Sequence, residues 1–450
     1  MEAMTRRGFL RTSAMTAAAI GVAQVAAGRV VRAAGANDRV RVGVVGFSDR
    51  FRSTLLPSFL AHYQEMNFDI VAVSDLWSRR REQGKAELEK ALGHPIEAYV
   101  NNEALYEKAK DLDAVIISTA DFQHALHAVE ACKAGKDAYV EKPLAETMDD
   151  ANAVLEAVRK NKRIVQIGSQ RRSGANYQTA AEYIRAGTFG PIVAVELLWN
   201  VNQPGRWRRP SLVKSIRQED TDWSRFLMNR PKAAWDPRKY LEFRLFWPYS
   251  SGIPGQWMCH QIDTVHWFSG LSYPRSVAVN GGIYVWKDGR ANADTLTAVL
   301  DYGPANDPAA GFQVIFSSRM TNSAGGVKEV YYSNGGTLDL DKNRVSSEGG
   351  LTEASAREMD MQPNLLAPLE LNGPKVETAA NTGGDPLTSN HMRNWMECVR
   401  SRREPNAPIE AGYHHSIAVV MTNAAFRTRK QAVFDPVRKQ VLAGGKVFKY

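Results

Sequence analysis

Arg39-Val40-Arg41-Val42-Gly43-Val44-Val45-Gly46 reads as a short buried strand that runs straight into a glycine, the opening of a strand-turn-helix unit. Residues 68–75 (FDIVAVSD) repeat the pattern of apolar run and polar end, and 113–119 (DAVIIST), 136–141 (KDAYVE) and 163–168 (RIVQIG) supply three more strands. Helical stretches such as 124–134 and 148–160 lie between them. This alternation predicts a parallel sheet with helices on both faces and ligands at the carboxyl ends of the strands.

The turn after the first strand is where a dinucleotide's phosphates would sit. A full G-x-G-x-x-G needs glycines at 46, 48 and 51, and the chain has Gly46, Ser48 and Phe51. Gly46 can make the tight turn, and Ser48 is small enough to let the backbone approach a pyrophosphate and adds a hydroxyl donor. Phe51 replaces the glycine that lets helix and strand pack closely, so the helix is expected slightly farther out. Arg50, in the same turn, joins Gly46 and Ser48 as a cofactor-binding candidate. Asp75, ending the second strand, can accept both ribose hydroxyls and would repel a 2′-phosphate, which favours NAD over NADP. It is equally readable as a plain turn residue, and Arg79, Arg80 and Arg81 keep NADP open.

The chain has 450 residues, 44% hydrophobic and 23% charged, enough for two or three domains with sizeable cores. Disordered, collagenous and disulfide-scaffold classes are excluded. The formal charge of +9 is concentrated at the start, because the first 36 residues hold five arginines and one glutamate. The rest is near balance, which is no nucleic-acid footprint. Cys132, Cys259 and Cys398 lie too far apart for a C-x-x-C pair or a clustered zinc site and are expected as small buried residues.

Those first 36 residues read as an address. Thr5-Arg6-Arg7-Gly8-Phe9-Leu10-Arg11 precede an uncharged, alanine-rich run over 12–28, then Arg29, Arg32 and the small-residue site Ala34-Gly35-Ala36. Paired arginines before Phe-Leu resemble the twin-arginine export signal, which implies the twin-arginine machinery as a partner and a periplasmic protein beginning near Asn37. The rival reading is an uncleaved anchor, but about 17 weakly apolar residues fall short of the ~20 that span a bilayer, so no stable membrane insertion is expected.

Ser118-Thr119, then His124, then Glu141-Lys142-Pro143 follow the fourth and fifth strand-like runs. Farther on come Gly168-Ser169-Gln170-Arg171-Arg172, Asp222-Trp223, Gly255-Gln256-Trp257-Met258-Cys259-His260-Gln261-Ile262-Asp263 and the block 391–429. Together these resemble the glucose-fructose oxidoreductase, inositol dehydrogenase and MocA family over nearly all of the chain after the leader. The resemblance implies an α/β protein: an NAD(P)-binding Rossmann domain over 37–170, then an α/β domain over 171–450 built on a large, mostly antiparallel open sheet, with the active site between them. It also implies pairing of copies through that open sheet, a homo-oligomer. Strand-like runs over 192–199, 276–286, 295–302 and 312–318, without intervening helices, agree with it independently. Ser118, Thr119, His124, Glu141 and Lys142 join the cofactor candidates.

Oxidising a secondary alcohol needs a group to take the hydroxyl proton while hydride leaves carbon, and a group to hold the alcohol in place. Lys142 matches the family's active-site lysine, and His260 matches its catalytic base; an imidazole accepts and returns a proton near neutrality. Asp263 and His266 fall on the same helix side at three-residue steps. A zinc site drawn from His260, Asp263 and His266 lacks a fourth ligand and diverges along the axis, so no metal is expected. Asp263 is read as orienting His260 or binding a sugar hydroxyl, and His266 as facing the sheet. One position departs from the family: an Asp commonly lies four residues before the histidine, and here it is Gln256, which can orient a hydroxyl but carries no charge. Arg171, Arg172, Arg206, Trp207, Tyr249 and Trp257 offer fork donors and flat faces for a sugar or acidic sugar, with Arg171 and Trp207 preferred.

The sequence therefore predicts a periplasmic NAD(P)-dependent oxidoreductase acting on a sugar or glycoside hydroxyl with a tightly held cofactor. Two other classes stay open. One is a glycoside-cleaving enzyme in which bound NAD oxidises the ring transiently so that elimination can follow; the other is a non-catalytic sugar or cofactor sensor, suggested by Ser48, Phe51 and Gln256.

Overall fold

All of β1 (Val40–Val45) except the half-buried Arg41 is buried, the condition under which valines can stand on both faces of a strand. It lies mid-sheet, between β2 (Phe68–Ser74) and β4 (Ala114–Ile117), with β3 (Glu97–Tyr99) outside β2 and β5 (Asp137–Val140) and β6 (Val165–Ile167) beyond β4. All six strands run parallel. The order β3-β2-β1-β4-β5-β6 reverses direction at β1 and β4, and a crevice opens there at their carboxyl ends. In the computed structural model the described residues are 38–304, 306–307, 309–373 and 385–450. The expected export leader over 1–36 lies outside them.

The second sheet has eleven strands. In chain order these are β7 (Ile192–Asn200), β8 (Ser276–Gly282), β9 (Thr295–Tyr302), β10 (Phe312–Arg319), β11 (Val327–Ser333), β12 (Gly336–Asp339), β13 (Arg344–Ser346), β14 (Leu369–Glu370), β15 (Ala432–Asp435), β16 (Gln440–Ala443) and β17 (Lys446–Val447). Their order is β14-β13-β12-β11-β7-β10-β9-β8-β15-β16-β17. Among the described residues its strands pair antiparallel except β7 with β10, so the mostly antiparallel sheet expected from the resemblance is present. β8 stops at Gly282 and not at Trp286, because the Asp294 carboxylate takes the N–H groups of Tyr284, Val285 and Trp286 and turns the chain out of the ladder.

Helices α1 (Ser78–Leu92), α2 (His124–Lys133) and α3 (Met148–Asn161) cover the first sheet, α4 (Cys259–Ser269) lies under the second, and α5 (Pro386–Ser401) and α6 (Ile409–Thr428) precede the last three strands. Although α5 is remote in sequence, it returns to the first sheet. Met392, Trp395 and Met396 are buried in the same core as Val42, Val44 and Ile70, and the Trp395 ring lies 5.8 Å from Phe68 and 6.1 Å from Tyr139. Ending the first half at residue 170 would leave this face uncovered, and Val40–Tyr450 form one compact unit.

α6 is buried around nearly its whole circumference. Two of its polar side chains fix the loop after β5: His415 Nε2 accepts the Leu144 N–H at 3.2 Å and Ser416 Oγ accepts the Ala145 N–H at 3.2 Å. The three cysteines are buried and unbridged. Among the described residues no helix is long and apolar enough to cross a membrane.

Candidate active site

The turn after β1 is built by glycine once and by serine once. Gly46 sits at φ +85°, and a Cβ there would lie 2.7 Å from Thr119 Cγ2, so only glycine fits. Its N–H donates to Ser74 O at 2.8 Å and its carbonyl accepts the Ser118 hydroxyl at 3.0 Å, tying β1 to both neighbours. Ser48 Oγ lies 3.0 Å from Ser118 Oγ and accepts the Phe51 N–H at 3.2 Å, so its hydroxyl secures the first turn of the following helix. The Phe51 ring is fully buried, 5.6 Å from Phe47, and Phe51–Leu55 winds as a wide π-helical turn around it. Close approach occurs instead at Gly84 of α1, where a Cβ would lie 2.9 Å from the Phe47 ring.

Asp75 lies at the rim of the same crevice. Its two oxygens accept the N–H groups of Phe47 and Trp77, each at 2.9 Å. Burial pushes its carboxyl above the usual range against the pull of those donors. Of the neighbouring arginines, Arg80 reaches Asp49 at 2.5 Å, Arg81 donates to the Asp75 carbonyl at 3.0 Å, and Arg79 lies over the Trp77 ring.

Across the crevice, Glu141 Oε1 accepts Arg50 Nε at 2.9 Å and Oε2 accepts the Lys142 N–H at 3.2 Å. Burial opposes its ionisation, yet the Arg50 and Lys142 charges hold Glu141 below the ordinary carboxyl value. His124 places Nδ1 2.8 Å from Pro143 O and Nε2 3.2 Å from Thr119 O, linking the two loops that carry Thr119 and Lys142. The Thr119 hydroxyl is buried without a hydrogen-bond partner. A dinucleotide fits this set: a glycine cradle that a Cβ would fill, an unanswered hydroxyl, and the Asp75 carboxylate at the rim.

The other wall comes from the turn Pro254–Met258 and α4. Lys142 Nζ donates to the Gln256 backbone carbonyl at 2.7 Å, and the Gln256 side chain donates from Nε2 to Asp121 Oδ2 at 2.6 Å. Burial lowers the Lys142 ammonium, against the opposing influence of Cys259, Glu141 and Asp121. His260 stacks on Trp199, 5.8 Å between centroids and 22° between planes. Burial, then the charges of Lys142 and Arg171, hold it well below the ordinary imidazole value, leaving a neutral base at neutral pH.

The candidates named from sequence as catalytic, cofactor-binding or substrate-binding line one cleft of about 1170 Å³, with the exceptions of Asp263, Arg172 and Tyr249. The expectation that Asp263 orients His260 or meets substrate is corrected: its carboxylate is held by Arg172, at 2.8 Å to Nε and 2.9 Å to Nη2, and is fully buried. The three-residue step from His260 turns it toward the neighbouring loop. His266 binds Tyr302 Oη of β9 at 2.8 Å. No cluster of three metal-ligating side chains exists among the described residues. Arg171 lines the cleft with one arm committed to buried Glu329 and its Nη2 without a partner. Trp207, held at φ +65°, packs its ring 5.4 Å from Trp257. Tyr249 and Arg172 are not part of the lining; Tyr249 packs on Phe122.

Sequence reasoning missed Asp121, Trp199, Arg244 and Glu329. Asp121 had a readable signal, a carboxylate between the flagged Thr119 and His124. Glu329 had one only after the alternation of β11 was known, as a charge at an inward position.

Residues 40–169 match the model described as oxidoreductase family, NAD-binding Rossmann fold. Among curated proteins the chain is 30% identical over 217 residues to the inositol 2-dehydrogenase of Salmonella paratyphi B, covering 47% of this chain and 60% of the relative. It is 28% identical over 227 residues to a glycosyl hydrolase family 109 protein of Solibacter usitatus, covering 46% and 51%. The chain thus spans about 60% or less of the length of these relatives. Among solved structures, the WlbA dehydrogenase of Bordetella pertussis, in complex with NADH and UDP-GlcNAcA, superposes over 88% of this chain and 99% of its own with a TM-score of 0.62 at 15% identity. That likeness establishes the fold.

Proposed function

We propose, from the match of residues 40–169 to the oxidoreductase family with an NAD-binding Rossmann fold, that the chain is an NAD(P)-dependent oxidoreductase acting on a sugar or glycoside hydroxyl, with NAD preferred. The observation that carries this reading is the convergence of the Gly46 turn, Lys142 and His260 on one cleft. Gly46, Ser48, Ser118 and Thr119 would hold the pyrophosphate side and Asp75 the ribose. When bound, the nicotinamide supplies the hydride acceptor. Lys142 Nζ, already fixed by the Gln256 carbonyl, hydrogen-bonds the reacting oxygen, and neutral His260 Nε2 or Nδ1 takes its proton. Turnover of candidate sugars by wild type, against loss of at least ~10² in Lys142→Ala and His260→Ala with cofactor binding kept, tests the assignment. Near-normal rates in both variants would remove it.

The similarity to a glycosyl hydrolase family 109 protein favours one second reading, glycoside cleavage by transient oxidation and elimination. Free aglycone without net reduced nicotinamide distinguishes it.

The leader adds a place. We infer export by the twin-arginine machinery to the periplasm, where free nicotinamide is scarce; a cofactor loaded before export and retained afterwards would solve the supply problem. Retention also stabilises the fold, since a ligand bound only to the native state adds RT ln(1 + [L]/Kd). A homo-oligomer formed through the open sheet is supported by Val299 and Ile315, direct neighbours on β9 and β10 that are 38% and 39% exposed. Mass determination of the protein isolated from the periplasmic fraction tests location and assembly together.

A further inference from the structure

Between β7 and α4 the chain leaves the second sheet and crosses to the first. Residues 208–242 of this excursion carry short helices over Pro210–Ser215, Trp223–Leu227 and Pro237–Leu241. One carboxylate closes the neck: buried Glu242 accepts Arg208 Nε at 3.0 Å, the Arg209 N–H at 2.7 Å and Arg238 Nε at 2.9 Å. Burial opposes its ionisation, yet those donors hold Glu242 below the ordinary carboxyl value. The Asp222-Trp223 pair shapes the middle, where Asp222 Oδ1 accepts the Arg225 N–H at 2.9 Å and Trp223 Nε1 donates to Ala233 O at 2.7 Å. Trp223, Phe226, Trp235 and Tyr240 then pack on one another, with ring centroids 4.5 to 5.6 Å apart.

This aromatic block is fastened to the half that carries the first sheet, at points spread around the crevice. Phe226 lies 5.4 Å from Phe122, and its carbonyl accepts Gln123 Nε2 at 2.7 Å, both on the loop after β4. Arg225 pairs with Glu103 of the short helix after β3. Arg209 stands 3.4 Å from Asp49 in the turn after β1, and Asn229 donates to Asp150 of α3 at 2.6 Å. Phe226, Tyr240 and Leu241 line the cleft together with Asp75, Leu76 and Trp77. Burial, then the Asp75 charge, push the Tyr240 hydroxyl well above its ordinary value, so ring and carboxylate share one end of the cleft.

Resting on the oxidoreductase reading, in which Asp75 meets the adenosine ribose, we propose that residues 208–242 form a strap over the adenosine half of the dinucleotide, with Phe226 and Tyr240 on one side of it and the Asp75–Trp77 turn on the other. Aromatic faces suit the flat adenine ring. A ligand beneath a strap fastened at Asp49, Glu103, Gln123 and Asp150 leaves only when several contacts open together, so its release is slow even where each contact is worth little.

The test follows release of cofactor from the full chain. Protein is loaded with adenine-labelled NAD and chased with excess unlabelled NAD, for wild type, Tyr240→Ala and Arg225→Gln, each first shown to be folded without cofactor. Release is expected to be at least ~10-fold faster in Tyr240→Ala and ~3-fold faster in Arg225→Gln, whose ion pair is partly exposed. ADP-ribose, which carries the adenosine and no nicotinamide, should lose calorimetric affinity in Tyr240→Ala as NAD does. Trypsin should cut wild type at the exposed Lys214, Arg217 and Lys232 of the strap more slowly once NAD is bound; this arm needs no variant and decides even if Tyr240→Ala fails to fold. Unchanged NAD release in both variants, or equal cleavage with and without NAD, overturns the strap and leaves the oxidoreductase reading intact. ADP-ribose affinity that stays constant while NAD release quickens overturns it too, by assigning these residues to the nicotinamide half. Wild-type protein that binds neither NAD nor NADP overturns both.

Discussion

Gln256 donates from Nε2 to Asp121 Oδ2 at 2.6 Å, so this amide is backed by a buried carboxyl group on the loop after β4. The same Gln256 holds Lys142 Nζ through its main-chain carbonyl. Asp121 is fully buried and raises the Lys142 ammonium by its charge.

Asp121→Asn keeps a possible hydrogen bond to Gln256 and removes the charge. Turnover is expected to fall by about 10-fold or more, and the alkaline limb of the pH profile to move to lower pH, because Lys142 loses a charge that raises it. A limb that stays in place, with turnover within twofold of wild type, would show that Asp121 only packs.

His260 is held well below the ordinary imidazole value by burial and by the charges of Lys142 and Arg171. The acidic limb of kcat/KM is therefore expected below the ordinary histidine value of about 6.5 and absent in His260→Ala. An acidic midpoint at or above that value would contradict a buried neutral base.

Cofactor choice follows from Asp75, since Arg80 is engaged by Asp49 and Arg81 by the Asp75 carbonyl. NAD should bind more tightly than NADP, and Asp75→Ala should narrow the gap by about 10-fold. Calorimetry giving tighter NADP binding in wild type would reverse the assignment.

Burial, and then the charge of Asp121, push Glu146 up to about 8 from an ordinary 4.5. Between those values the folded chain holds a proton that the unfolded chain releases, so this group's contribution to stability declines as pH rises through the window. Glu146→Gln removes that decline. Its melting-temperature gain over wild type should be small near pH 5 and grow toward pH 8; an equal gain at both, or a loss near pH 8, would contradict the buried neutral acid.

The first sheet is legible in sequence because its strands are apolar on both faces and end on chemistry-bearing residues: Val40–Val45 on Gly46, Phe68–Ser74 on Asp75. β3 is hidden because Glu97, Ala98 and Tyr99 form a short, largely exposed edge. Lys142 and His260 are legible through a resemblance, while the Asp121–Gln256 bond joins residues 135 positions apart and exists only once the two walls meet. Asp263 misleads for a local reason. Helical spacing places it near His260, but the spacing does not reveal that Arg172 is waiting on the next loop. The return of α5 to the first sheet leaves no local trace, since an amphipathic helix reads the same whichever core it covers.

In the proposed reaction this cleft reduces a nicotinamide held within it under the control of Lys142. The direct measurement is the reduced-nicotinamide absorbance of purified protein carrying one equivalent of NAD, before and after adding candidate sugars, in wild type and Lys142→Ala. The account predicts a rise of up to one equivalent per chain in wild type and none in the variant. A wild-type protein that neither retains nor binds NAD(P), or a rise of equal size and rate in Lys142→Ala, would contradict it.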